Sequence, residues 1–74
     1  EEQPLRLAAV EALGRVARPS ASSLLVQALD DCDPHIRERA LSILMRLGTR
    51  GAGRRIAQMA HADASPAVRR AARL

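Results

Sequence analysis

The stretch Asp31-Cys32-Asp33-Pro34-His35-Ile36-Arg37 decides how this chain is read, because Asp63-Ala64-Ser65-Pro66-Ala67-Val68-Arg69 repeats its frame 32 positions later. What recurs is an Asp, a Pro, an aliphatic residue and an Arg. In each copy a residue able to cap a helix, Asp33 or Ser65, stands directly before a proline. The fixed φ and missing N–H of proline suit the first helical position, so each copy ends one helix and starts another.

Working outward, a helix is expected over Pro34 to Leu47, with Ile36, Ala40, Ile43, Leu44 and Leu47 on one stripe and Gly48 ending it in the left-handed region. The same stripe occurs 31 positions earlier as Leu5, Ala9, Ala12, Leu13 and Val16, in a first helix expected over Gln3 to Ala17. Pro4 suits its first turn, while Glu1 and Glu2 before it and Arg15 and Arg18 near its end complement the helix dipole. Pro19 is expected to stop this helix and Ser20 to cap a second, running to about Asp30 with Leu24, Leu25, Ala28 and Leu29 on its face. A fourth, about Ala52 to His61, presents Ala52, Ile56, Met59 and Ala60 after a linker loosened by Gly48, Gly51 and Gly53; His61 takes the place of Leu29. The fifth opens at Pro66, replays Ile36, Arg37 and Ala40 as Val68, Arg69 and Ala72, and runs to Leu74. Two helices per 31 to 32 residues is the signature of a stacked helical repeat, in which each pair buries its apolar face on a neighbour.

Composition sets limits on the rest. In 74 residues there is no Phe, Tyr or Trp, so the core must be built from Leu, Ile, Val, Met and Ala and is thin. Neighbouring repeats or a partner chain are expected to complete it, and exposed end faces would favour self-association. All twelve basic residues are Arg, with a net charge of +4. A GC-rich, bacterial coding bias accounts for this simply; selection for bidentate contacts with carboxylate or phosphate is the alternative. One Cys forms no intrachain disulfide, and neither a long apolar run nor a signal segment is present, which points to a cytoplasmic location and no membrane span. The chain starts at Glu1 without an initiator Met and reads as part of something longer.

The run from Leu24 to Ala40, Leu-Leu-Val-Gln-Ala-Leu-Asp-Asp-Cys-Asp-Pro-His-Ile-Arg-Glu-Arg-Ala, resembles a HEAT repeat of the short bacterial kind, similar to those of the phycobilisome-lyase group. Asp31, Ile36 and Arg37 carry the likeness, as do Asp63, Val68 and Arg69. The resemblance implies an all-α fold, a right-handed α-solenoid segment of antiparallel helix pairs with about five helices. Residues 1–18 would be the second helix of a preceding unit, 19–48 one full unit and 49–74 a second, truncated unit. It implies a binding role rather than catalysis, with the partner left open: a protein, neighbouring repeats, or an accessory role towards a chromophore protein.

Among candidate sites, Arg6, Arg37 and Arg69 form a ladder of equivalent positions. They are expected to bond Asp31, Asp63 or nearby turn carbonyls, with Asp33, Pro34 and Pro66 completing the turns; a phosphate-tracking ladder is the competing reading. Arg46, Arg50, Arg54 and Arg55 cluster about one linker, and Arg70 and Arg73 extend the last helix. They suit either a solvated face or an anionic partner. The polar positions opposite the aliphatic stripe, Glu11, Arg15, Glu38, Arg39, Ser42, Arg46 and Arg70, form the expected binding face. Nucleic acid, tracked along its backbone by the Arg surface, is the less favoured alternative to a protein partner, and single-strand binding is disfavoured further because the aromatic platforms on which single strands stack are absent. Cys32 and His35 have C-x-x-H spacing, but a metal site needs three or four convergent ligands and His61 lies in another unit. As a nucleophile Cys32 would need a basic neighbour in a cleft, and its neighbours are carboxylates. No catalytic set, metal or cofactor is expected.

Overall fold

The computed structural model describes residues 2–16, 19–48 and 51–73, with the side chains of Glu2 and Pro19 left aside. Expectations resting on Glu1, Ala17, Arg18, Arg50 and Leu74 lie outside the described residues. The described chain is all-helical: α1 (Glu2–Val16), α2 (Pro19–Ala28), α3 (Pro34–Leu47), α4 (Gly53–Ala62) and α5 (Pro66–Ala72), with no strand among the described residues. Its extents of 31 × 28 × 16 Å leave room for a core only one layer deep.

Helix α3 is central, packing on α1, α2 and α5. Asp33 caps it by accepting the His35 N–H at 2.8 Å, Pro34 opens it, and Gly48 closes it at φ 66° with its N–H directed to the Leu44 and Met45 carbonyls. Its apolar residues Ile36, Ala40, Leu41, Ile43 and Leu44 are buried, joined by Leu25 and Leu29 of α2, Val10 of α1, Ala52, Met59 and Ala60 around α4, and Val68 and Ala72 of α5. Gly14 lets α1 and α3 approach closely: a Cβ there would stand 3.0 Å from Cδ1 of Ile43. Ser65 caps α5, its hydroxyl accepting from the Val68 N–H.

Three sequence expectations need correction. The stripe of α1 is not core: Leu5 is 73% and Val16 49% exposed, and Ala9 and Ala12 are exposed too. Its counterpart on α3 is covered from Ile36 to Leu44 because α1 and α2 lie against α3, although Leu47 at its end is 37% exposed; among the described residues no further helix lies against α1 from the other side. Of the stripe only Leu13 is half-buried, and α1 otherwise buries Val10 and half-buries Leu7. Second, Pro19 is the first residue of α2 rather than a stop before it, so Ser20 lies inside the helix and does not cap it. Leu24, assigned to the α2 core face, is 48% exposed.

Third, His61 does not replace a core Leu. Ala60 is the buried residue at the place of Leu29, 31 positions on, and His61 is exposed. The offset grows to 32 only between there and Asp63. The Asp31 N–H bonds to Ala28 three residues back (3.1 Å), while the Asp63 N–H bonds to Met59 four residues back (3.3 Å). The end of α2 is thus wound tightly as a 3₁₀ turn, whereas the end of α4 continues as an α-turn and takes up one residue more.

Truncating Leu41→Ala should cost about 2–5 kcal/mol, while Leu5→Ala, on the open stripe, should change stability by no more than about 0.5 kcal/mol. Urea unfolding followed by circular dichroism checks the pair; similar losses at both positions would mean that α1 buries its stripe after all.

Candidate functional site

Two kinds of arginine emerge, separated by what they touch. The first kind holds the Asp turns. The Asp31 carboxylate accepts the Asp33 N–H at 2.9 Å and the Arg6 guanidinium at 3.0 and 3.3 Å, and its backbone carbonyl accepts Arg37 at 2.9 Å. The next turn repeats this. The Asp63 carboxylate accepts the Ser65 N–H at 2.9 Å and Arg37 at 3.0 and 2.9 Å, and its carbonyl accepts Arg69 at 2.7 Å. Each Asp therefore takes one Arg on its side chain from the helix before the two its turn joins, and one on its carbonyl from the helix it starts, so Arg6, Asp31, Arg37, Asp63 and Arg69 form one connected line.

Burial grades along the line. The side chains of the Arg37–Asp63 pair are only 14% and 6% exposed, against 37% and 14% for Arg6–Asp31. The Arg37 hydrogen bond holds the Asp63 carboxyl below the usual range, against the opposing push of burial, with the Ser65 N–H helping. At Asp31 burial is the largest single influence and pushes upward, but the Asp33 N–H and the Arg6 and Arg37 guanidiniums together outweigh it and hold the carboxyl low. Arg37 is correspondingly raised, first by its bond to Asp63.

Three further arginines are tied down outside the ladder. Arg55 bonds the Asp30 carboxylate at 2.8 Å and reaches the Leu29 carbonyl, joining α4 to the end of α2. Arg73 donates to the Ala60 carbonyl at 3.2 Å, and Arg39 of α3 pairs with Glu11 of α1. The sequence reading grouped Arg55 and Arg73 with the surface charge; their distant acceptors come together only in the fold.

The second kind finds no acceptor among the described residues: Arg15, Arg46 and Arg70 on the outer side of α1, α3 and α5, and Arg54 on α4. Arg15, Arg39, Ser42, Arg46 and Arg70 are exposed, while Glu11 and Glu38 are half-buried. The hydrogen bond from Arg39, followed by the charges of Arg39, Arg15 and Arg46, holds the Glu11 carboxyl low despite some desolvation. Leu7, His35, Glu38, Arg39 and Ser42 line a shallow hollow of about 310 Å³ on this side. On another side, an open groove of about 640 Å³ is walled by the bare α1 stripe and by Leu24 and Ala28 of α2, with Arg6 and Asp31 at its edge. Its apolar walls were legible as a stripe; their exposure was not.

The Asp31 to His35 turn keeps its polar groups local. Cys32 is exposed, and His35 Nδ1 lies 3.2 Å from the Asp33 carboxylate that caps α3. Among the described residues no three His, Cys, Asp or Glu side chains come together as a metal site would require, and no helix is long and apolar enough to cross a membrane.

The family model described as HEAT repeats matches residues 1–74, the whole of the chain. No curated protein and no solved structure matches it significantly.

Replacing Arg37 by Ala removes four hydrogen bonds and strands the nearly buried Asp63 carboxylate; a loss of about 2–4 kcal/mol is expected, against about 1 kcal/mol or less for Arg6→Ala at the more exposed link. Equal losses in urea unfolding would contradict the grading. Both Asp carboxyls are held below their unfolded value of about 3.9. Their contribution to stability is therefore complete above about pH 4 and is lost as pH falls through the folded values. The melting temperature should drop on acidification below about pH 4, and less steeply in Asp63→Asn; an unchanged acid slope in that variant would exclude Asp63 as a source.

Proposed function

The chain belongs to the HEAT repeat family, and from that premise we propose that it is a non-catalytic scaffold that binds protein through the row formed by α1, α3 and α5. The observation that carries this reading is the division of the arginines. Arg6, Arg37, Arg39, Arg55, Arg69 and Arg73 donate to acceptors within the fold. Arg15, Arg46 and Arg70, with Ser42, stand exposed on the row, and Arg54 alone of the described arginines without an acceptor stands off it, on α4. The unit limits 1–18, 19–48 and 49–74 belong to the same proposal, since the row is then made of the second helix of each unit.

The division also weighs against tracking of a nucleic-acid backbone, which gains affinity from many simultaneous phosphate contacts. The ladder that would supply them, Arg6, Arg37 and Arg69, has its guanidiniums turned to Asp31, to Asp63 and to turn carbonyls.

A photocrosslinking residue at Ser42, on the row, and another at Ala57, exposed on α4, test the assignment in extract from the cells that encode the protein. Discrete protein adducts at Ser42 and none at Ala57 are expected. Nucleic-acid adducts at Ser42, or equal protein adducts at both positions, would refute it.

A further inference from the structure

We infer that the α1/α3 part of the row docks a carboxylate-rich segment of a partner protein, gripped by Arg15 and Arg46. This rests on the scaffold reading and specifies the chemistry of its partner.

Arg15 and Arg46 are 31 positions apart, the spacing that relates Leu5 to Ile36, so they hold the same place on two packed neighbouring helices. Both are exposed. Every arginine of the turn ladder has an acceptor on the protein; among the described residues, Arg15 and Arg46 donate no hydrogen bond. The carboxylate whose field they share is Glu11, and Arg39 already bonds it. Three guanidiniums and one carboxylate leave two positive charges unanswered at this end of the row.

A guanidinium is a planar fork that takes a carboxylate through two parallel N–H bonds. Packed helices lie about 8–10 Å apart, and carboxylates seven residues apart on one helix face are separated by about 10 Å. Two such carboxylates can thus meet Arg15 and Arg46 together. Ser42, one turn before Arg46 on α3, adds an exposed hydroxyl. With two forks and no aromatic platform, the surface fits a short acidic protein segment better than a nucleic-acid strand.

The test titrates the chain with a labelled helix-forming peptide carrying Glu at i, i+4 and i+7, and in parallel with a labelled DNA duplex, by fluorescence anisotropy. The peptide is expected to bind, more weakly at about 200 mM than at about 50 mM salt. The double variant Arg15→Gln/Arg46→Gln should weaken it about fivefold, by loss of two exposed ion pairs. Arg54→Gln, which removes an exposed charge from α4, should leave binding within about twofold. Neither Arg15 nor Arg46 bonds the fold, so circular dichroism of the double variant should match the parent. The inference is overturned if the peptide does not bind at low salt, if Arg54→Gln costs as much as the double change, or if the duplex binds more tightly and the same two substitutions release it. The first two outcomes leave the scaffold reading standing, to be judged by the Ser42 adducts; the third, duplex binding through the row, would count against both.

Discussion

A carboxylate shared between a turn and a neighbouring helix is the constraint on which this molecule depends. Asp63 accepts the N–H of Ser65 within its own turn and the guanidinium of Arg37 from α3. Through its carbonyl it also receives Arg69, so the start of α5 is held to the end of α4 and to the helix before it. Asp31 does the same for α2, α3 and α1. A chain without aromatic residues and with a core one layer deep has little apolar area with which to fix the relative placement of its helices. Directional, charge-assisted bonds supply that placement, and their nearly dry environment at Asp63 makes loss of one partner costly.

The apolar residues divide by neighbour. On α3 the stripe is sealed from Ile36 to Leu44 because α1 and α2 lie against it, and Leu41 is fully buried in the same core. On α1 the equivalent stripe is open, with Leu5 exposed and Ala9, Ala12 and Val16 lining the groove, while Val10, at the place of Leu41, is buried in the core. Identical periodicity thus gives a core face in one helix and an open face in the other, because burial belongs to the pair of surfaces rather than to either one alone.

The charges divide by the same logic. Arginines that start helices or follow them back to a preceding turn find carbonyls and carboxylates waiting there. Arg15 and Arg46 on the outer row find only Glu11, already bonded by Arg39. The exposed charges of Arg15 and Arg46 therefore stand on the adjacent helices α1 and α3, with Arg70 on α5 and Arg54 on α4 apart from them, and it is this pairing that gives the proposed scaffold a direction from which to bind.

Much of this was legible in the residues alone. Asp33 before Pro34, Ser65 before Pro66 and Gly48 after Leu47 fix helix ends by local chemistry, and the recurrence of Asp, Pro, an aliphatic and Arg fixes the repeat. Val10 and Leu41, equivalent at the repeat spacing, were both missed as core because each lies beside the chosen stripe rather than on it. Ser20 was misjudged because Pro19 can open a helix as well as end one. Other features had no local signal. The extra residue before Asp63 is absorbed by an α-turn where the earlier copy winds a 3₁₀ turn, so His61 falls outside the core and Ala60 within it. Arg55 and Arg73 meet their acceptors, and Arg15 and Arg46 meet none, because of which helix comes to lie beside which. Caps, turns and periodicity are properties of a few consecutive residues and are written in the sequence. Whether a stripe is covered or a guanidinium is answered depends on surfaces distant in the chain, and only the packed structure decides it.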